Sequence, residues 1–159
     1  MGSSAGAIMT AQYATVLSSP EYAALLEVEP ALRLEQVSAV VIDDAPLDYS
    51  SMPLNCKLLI GNYVKGSIYL SKDELNRYEC IPHMIAEYPA AILLGSEYRK
   101  DMGMMAERLK AVGVEHVLID PLDEHGEVKP HCFAANERID PVAAEAFGRL
   151  TAFLKEKTK

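Results

Sequence analysis

Tryptophan is absent from this 159-residue chain, phenylalanine occurs only three times, and the eight tyrosines are scattered without interleaved basic residues. That pattern excludes the stacking platform with a cationic groove that binds single-stranded nucleic acid. Positive charge is scarce as well. Fifteen Lys and Arg stand against 23 Asp and Glu, for a net charge of −8, whereas phosphate binding needs clustered Lys and Arg. No Lys or Arg precedes Arg33, so the basic n-region of a secretory signal is missing. No apolar run approaches the roughly 20 residues that a membrane-spanning helix needs. The three cysteines, Cys56, Cys80 and Cys132, are an odd number without paired spacing. They argue against a disulfide framework and for reduced thiols in a cytoplasmic setting. The sequence shows neither an internal repeat nor a low-complexity segment.

What is present is an ordinary globular balance, 50 % hydrophobic and 24 % charged, in a chain long enough to bury one core. A single domain over 1–159 is expected. Two β-branched or aliphatic runs, 37–42 and 90–94, and a third at 116–120 read as buried strands of a parallel sheet. Helical patterns separate them. Ser4 to Leu17 is rich in Ala, Met and Leu. Leu54 to Tyr63 forms a short helix, and Ser71 and Glu74 form a capping box that opens another. Asp101 to Val112 has Met105, Leu109 and Val112 on one face and Gly113 as its stop. Asp140-Pro141 supplies an N-cap and an N1 proline for a last helix, with Ala143, Phe147, Leu150 and Leu154 along its stripe. Strands alternating with amphipathic helices indicate an α/β layer fold with a mostly parallel sheet of about three strands.

Chemistry enters at the start of the chain. Gly2-Ser3-Ser4-Ala5-Gly6 is a Gly-x-Ser-x-Gly pattern running directly into a helix. At such a turn a serine oxygen can be exposed at a strained bend as a nucleophile, with small residues flanking it. A serine attacks when a histidine takes its proton and a carboxylate orients that histidine. The chain supplies a carboxylate-bearing loop after the second run, Gly95 to Asp101, and a histidine segment, His131-Cys132-Phe133, before the last helix. Asp43, Asp44 and Asp48 follow the first strand and either line a site or cap a loop. Asp120, Asp123, Glu124 and His125 read as a solvated acidic loop more readily than as a metal site, and His83 and His116 as packing or surface residues.

In these residues the chain resembles the C-terminal portion of an α/β-hydrolase, in the esterase and lipase branch that includes the hormone-sensitive-lipase-like carboxylesterases. Gly2 to Gly6 matches the branch's Gly-x-Ser-Ala-Gly elbow, Tyr88-Pro89 through Glu97 its acid-bearing strand and loop, and His131-Cys132-Phe133 its His-x-Phe segment. The resemblance implies Ser4 as nucleophile, Glu97 as orienting acid, His131 as base and the Ala5 N–H as one oxyanion donor. Asp101 is the second acidic position in the same loop. An insertion between Asp123 and Lys129 leaves His125 as a second candidate base. The resemblance further implies a small-molecule ester substrate, no cofactor and no metal. It also implies a cap-like helical insertion over 46–87 and an N-terminally truncated hydrolase, because the family's oxyanion loop lies upstream of the elbow. The alternative is a catalytically silent fragment that forms a homo-oligomer or pairs with another chain through an uncovered sheet edge.

Overall fold

The computed structural model describes residues 1–137 and 139–158. Its centre is a four-stranded parallel sheet in sequential order: β1 (Gly2–Ser3), β2 (Ala39–Asp43), β3 (Ala90–Leu94) and β4 (His116–Ile119). The sequence led us to expect three strands. The fourth is the two-residue β1, which pairs Gly2 with Ile42 and Ser3 with Asp43. A dipeptide carries no hydrophobic alternation, so only its pairing with β2 identifies it as a strand.

Alternation along the strands divides the interior into two cores. Val40, Ile42, Ala91 and Leu93 face one core, while Val41, Ile92, Leu94 and Ile119 face the other. This is period-2 geometry with both faces covered, as an all-parallel sheet requires. On the first side lies α1 (Ala5–Ser18), with Ala7, Ala11 and Ala14 buried so that the helix sits close to β2. Beside it packs α5 (Arg99–Ala111), which buries Met102, Met105 and Leu109. On the second side lies α8 (Pro141–Lys157). Asp140 caps it by accepting from the Ala143 N–H at 2.9 Å. The buried stripe of α8 runs through Val142, Ala143, Ala146, Leu150 and Phe153, whereas Phe147 is 54 % exposed. The expected stripe thus lies on a slightly rotated face, with Phe153 as the buried aromatic. Each large side chain fully buried in this way contributes about 1.5–3 kcal/mol.

Three helices fall where the sequence reads as mixed or polar: α2 (Pro20–Leu26), α6 (Pro121–His125) and α7 (Phe133–Asn136). They span four to seven residues, too short for apolar periodicity to declare them. Between β2 and β3 the chain forms α3 (Leu54–Lys65) and α4 (Lys72–Tyr78) with flanking 3-10 turns. The anticipated capping box opens α4: Ser71 Oγ accepts from the Glu74 N–H, and Glu74 accepts from the Ser71 N–H. Tyr78 Oη pins this segment by donating to the Pro46 carbonyl at 2.7 Å, and Tyr49 Oη donates to that of Ile68 at 2.9 Å. No helix among the described residues is long and apolar enough to cross a membrane.

Candidate active site

β1 ends at Ser4, where the backbone turns sharply into α1. Ser4 has φ 54° and ψ −122°, outside the regions an L-residue ordinarily occupies. Its amide donates to the Asp43 carbonyl at 2.9 Å, and its carbonyl accepts from the Ala7 N–H at 2.9 Å. Both ends of the bend are therefore anchored. Its hydroxyl makes no capping bond to α1 and stays available at a half-buried position. Ala5 is the first residue of the helix, so its N–H has no intrahelical acceptor, and it is exposed.

Only one of the two motif glycines is demanded by space. A Cβ on Gly2 would lie 2.1 Å from the Gly6 carbonyl oxygen and 2.5 Å from Thr10 Oγ1, whereas a Cβ on Gly6 would meet nothing within 4 Å.

Opposite the elbow, β2 ends at Asp43, and Asp44 follows it. The Asp43 side chain is 2 % exposed; its Oδ2 accepts from Ser3 Oγ at 2.7 Å, and its Oδ1 has no partner among the described residues. Burial pushes this carboxyl up, only partly offset by the Ser3 hydrogen bond.

Asp44 is its opposite. At φ 59° it turns back under the loops and is fully buried. Its Oδ1 accepts from the Ser96 and Tyr98 amides at 3.0 and 2.8 Å. Its Oδ2 accepts from Ser96 Oγ at 2.5 Å, from the Glu97 and Cys132 amides at 3.2 Å each, and from His131 Nδ1 at 2.7 Å. Burial alone would raise its pKa, but the donors from Ser96, Tyr98 and His131 outweigh burial and hold it below the ordinary carboxylate range.

A carboxylate only accepts, so the Nδ1 facing it carries a proton. A neutral His131 therefore keeps the lone pair on Nε2. Cys132, at φ 55°, lies against the Ser4 backbone. The residue that follows the imidazole thus touches the elbow backbone. Among the described residues, three of the four non-glycine residues with positive φ, Ser4, Asp44 and Cys132, sit here. Such conformations cost of order 1–3 kcal/mol each and cluster at functional sites.

The other residues singled out in the sequence lie as follows. Glu97 Oε2 is 3.5 Å from His131 Nδ1 with a side chain 55 % exposed, so the imidazole's close carboxylate is Asp44 and Glu97 stands at the rim. Asp101 is buried and accepts from the Leu47 and Asp48 amides at 2.7 Å each; it braces that loop, away from the ring. His125 faces Glu145 at 3.6 Å and Glu124 at 4.0 Å on α6, outside this cluster. Asp120 and Asp123 both engage Arg99. Asp44 is the residue that sequence reasoning left undecided. Its signal was position: it follows the carboxyl end of a central parallel strand, where sites in open α/β sheets are built.

Asp44, His131 and Cys132 place one ligand atom each within 4.8 Å of one another. Two facts disfavour a metal there. Asp44 Oδ2 already accepts from four donors, and burial, followed by Asp43 and Asp44, pushes the Cys132 thiol up to about 12, away from the thiolate that a metal binds.

A cleft of about 1020 Å³ runs along the outer face of α1, lined by apolar side chains including Ile8, Met9, Val40, Leu59 and Tyr63. On this side β1 covers β2 only at Ile42 and Asp43; among the described residues no strand pairs with the β1-facing edge of Ala39 to Val41, whose other edge pairs with β3.

No protein-family model and no curated protein matches the sequence. Among solved structures, a monoclinic form of an esterase from Pyrobaculum calidifontis matches with a TM-score of 0.58 at 19 % identity, over 98 % of this chain and 50 % of that one. The chain thus spans half the length of the esterase chain it resembles. Over the part it spans, this likeness together with the parallel sheet flanked by helices shows the α/β-hydrolase fold.

Proposed function

We propose that the chain is a serine hydrolase acting on carboxylic esters, with Ser4 as nucleophile, His131 as general base and acid, and Asp44 as the carboxylate that orients the imidazole. The observation that carries this reading is the elbow. Ser4 is held in a strained conformation at a strand-to-helix turn, with a hydroxyl that serves no structural bond. His131 Nε2 takes the Oγ proton as Oγ attacks the ester carbonyl. The tetrahedral oxyanion forms beside the Ala5 N–H, and the C–O bond to the alcohol breaks as Nε2–H returns its proton to the leaving oxygen. Water then loses a proton to Nε2 as it attacks the acyl carbon, and the bond from that carbon to Ser4 Oγ breaks as Nε2–H returns the proton to Oγ, releasing the acid and restoring the serine. Segment 46–87 serves as the cap over this site.

The test is a fluorophosphonate probe, which loses fluoride as it bonds to an activated serine. Labelling at Ser4 that vanishes in Ser4→Ala is expected. An unlabelled wild-type chain, or equal labelling of the variant, overturns the assignment.

A second reading, a silent fragment that self-associates, is favoured by the edge of β2 that β1 leaves uncovered at Ala39 to Val41 and by the apolar cleft beside it. Met9 and Leu59, 65 % and 70 % exposed, line it. A dimer is then expected in light scattering, at twice the 17.4 kDa chain mass. Met9→Lys with Leu59→Glu should return it to monomer, since charge on such a face blocks edge association. A wild-type chain that is monomeric at every concentration removes this reading.

A further inference from the structure

Tyr98 touches three parts of the candidate site, and neither the motif nor the proposed mechanism gives it a role. Its backbone N–H donates to Asp44 Oδ1 at 2.8 Å. Its ring meets the His131 ring edge to face, with centroids 5.5 Å apart and planes at 83°. Its hydroxyl lies 3.0 Å from Cys56 Sγ on α3. Burial, followed by the neighbouring Cys56, raises the phenol above its ordinary value, so at neutral pH it remains an O–H in contact with sulfur.

These contacts are not interchangeable. The imidazole has one strong bond, from Nδ1 to Asp44, and a single bond leaves the ring free to rotate about it. An edge-to-face aromatic contact removes that freedom, because such pairs hold a preferred orientation. The same phenol reaches out of the sheet layer to a helix of the segment between β2 and β3. Cys56 lies in the first turn of α3, a helix whose outward residues Leu54, Leu58, Leu59 and Tyr63 are all more than half exposed. The core therefore holds α3 on one side only, and its position relative to the sheet rests on few contacts, the Cys56–Tyr98 pair among them.

We propose that Tyr98 is the positioning residue for the His131 ring, and that its hydroxyl contact with Cys56 couples ring orientation to the placement of α3. The inference rests on the hydrolase reading only for its consequence: substrate seated under α3 would set the base. The geometry itself stands apart from turnover.

The test reads the ring directly. In ¹⁵N-labelled protein the His131 Nδ1–H gives a low-field proton resonance, assigned by its loss in His131→Gln. Tyr98→Leu is expected to speed exchange of that proton with water by about fivefold to tenfold, the scale of one aromatic contact. Tyr98→Phe and Cys56→Ala each remove only the hydroxyl–sulfur contact. They should give the same smaller acceleration, and the double variant no more than either alone, as two ends of one interaction do. A residue that merely supports the fold would lower stability and leave this proton unchanged. An unaltered exchange rate in folded Tyr98→Leu overturns the positioning role. If that variant does not fold, wild-type exchange in both Tyr98→Phe and Cys56→Ala overturns the coupling. Because no ester is consumed, absence of fluorophosphonate labelling leaves this result standing. Conversely, an unmoved resonance leaves the serine assignment untouched.

Discussion

Asp44→Asn is expected to slow phosphonylation of Ser4 by about 10³- to 10⁴-fold, while Glu97→Gln changes it by no more than about threefold. An amide at position 44 no longer forces the proton onto Nδ1 of His131, so Nε2 would lose the lone pair that the proposed base needs. At the rim, Glu97 is exposed and 3.5 Å from the ring, where solvent screens its charge. Time-resolved probe labelling with intact-mass detection reads both rates. Equal losses in the two variants, or a larger loss in Glu97→Gln, would return the acid role to Glu97.

The same variant carries a stability signature. An asparagine presents an NH₂ to amides and hydroxyls that all donate, leaving buried donors unpaired, and about 3 kcal/mol or more of stability should be lost. The folded Asp44 carboxyl sits below its ordinary range. Its contribution is therefore complete above the unfolded value of about 3.9 and disappears as pH falls through the folded one. Urea titrations of the two proteins should differ most near neutrality and converge in acid. Asp43, whose carboxyl is raised, has the opposite sign: its stabilising contribution is complete below the unfolded value and is lost as pH rises through the folded one.

Gly2→Ala is the second large effect. The new methyl would stand 2.1 Å from a backbone oxygen and 2.3 Å from the carbon that bears it, neither of which can rotate away. Relief requires β1 to slide on β2 or α1 to retreat, and either displaces Ser4. A shift of about 1 Å at a nucleophile can cost 10²-fold in rate, and we expect at least that loss in Ser4 labelling. Gly6→Ala is the control. Its methyl enters open space, and alanine is favoured over glycine in a helix by about 1 kcal/mol, so labelling should persist with stability unchanged or slightly raised. Equal tolerance of both alanines would show that the elbow is looser than its contacts imply.

The layout of elements was largely legible because parallel strands buried on both faces read as short aliphatic runs, and because Asp140, Ser71 and Gly113 punctuate helices by local chemistry alone. β1 was not, since two residues have no periodicity and become a strand only through Ile42 and Asp43. Ser4 and His131 stand in patterns that a sequence displays locally, an elbow-like turn and a histidine ahead of a terminal helix. Asp44 could not be fixed, because its partners lie 52 to 88 residues further along the chain. No spacing rule states that one carboxylate will gather a loop after β3 and another after β4. Glu97 had the expected sequence position, but its backbone N–H, rather than its side chain, contributes to the Asp44 cluster.

That gathering has a consequence for how the centre is assembled. One side chain receives donors from two separate crossings of the sheet, so neither crossing can be completed in isolation. Opening either one strands a dehydrated anion, and the penalty propagates to the other. Competence at this centre is then all-or-none: intermediate concentrations of urea should yield a mixture of fully reactive and wholly inert molecules, never a population of half-tuned ones.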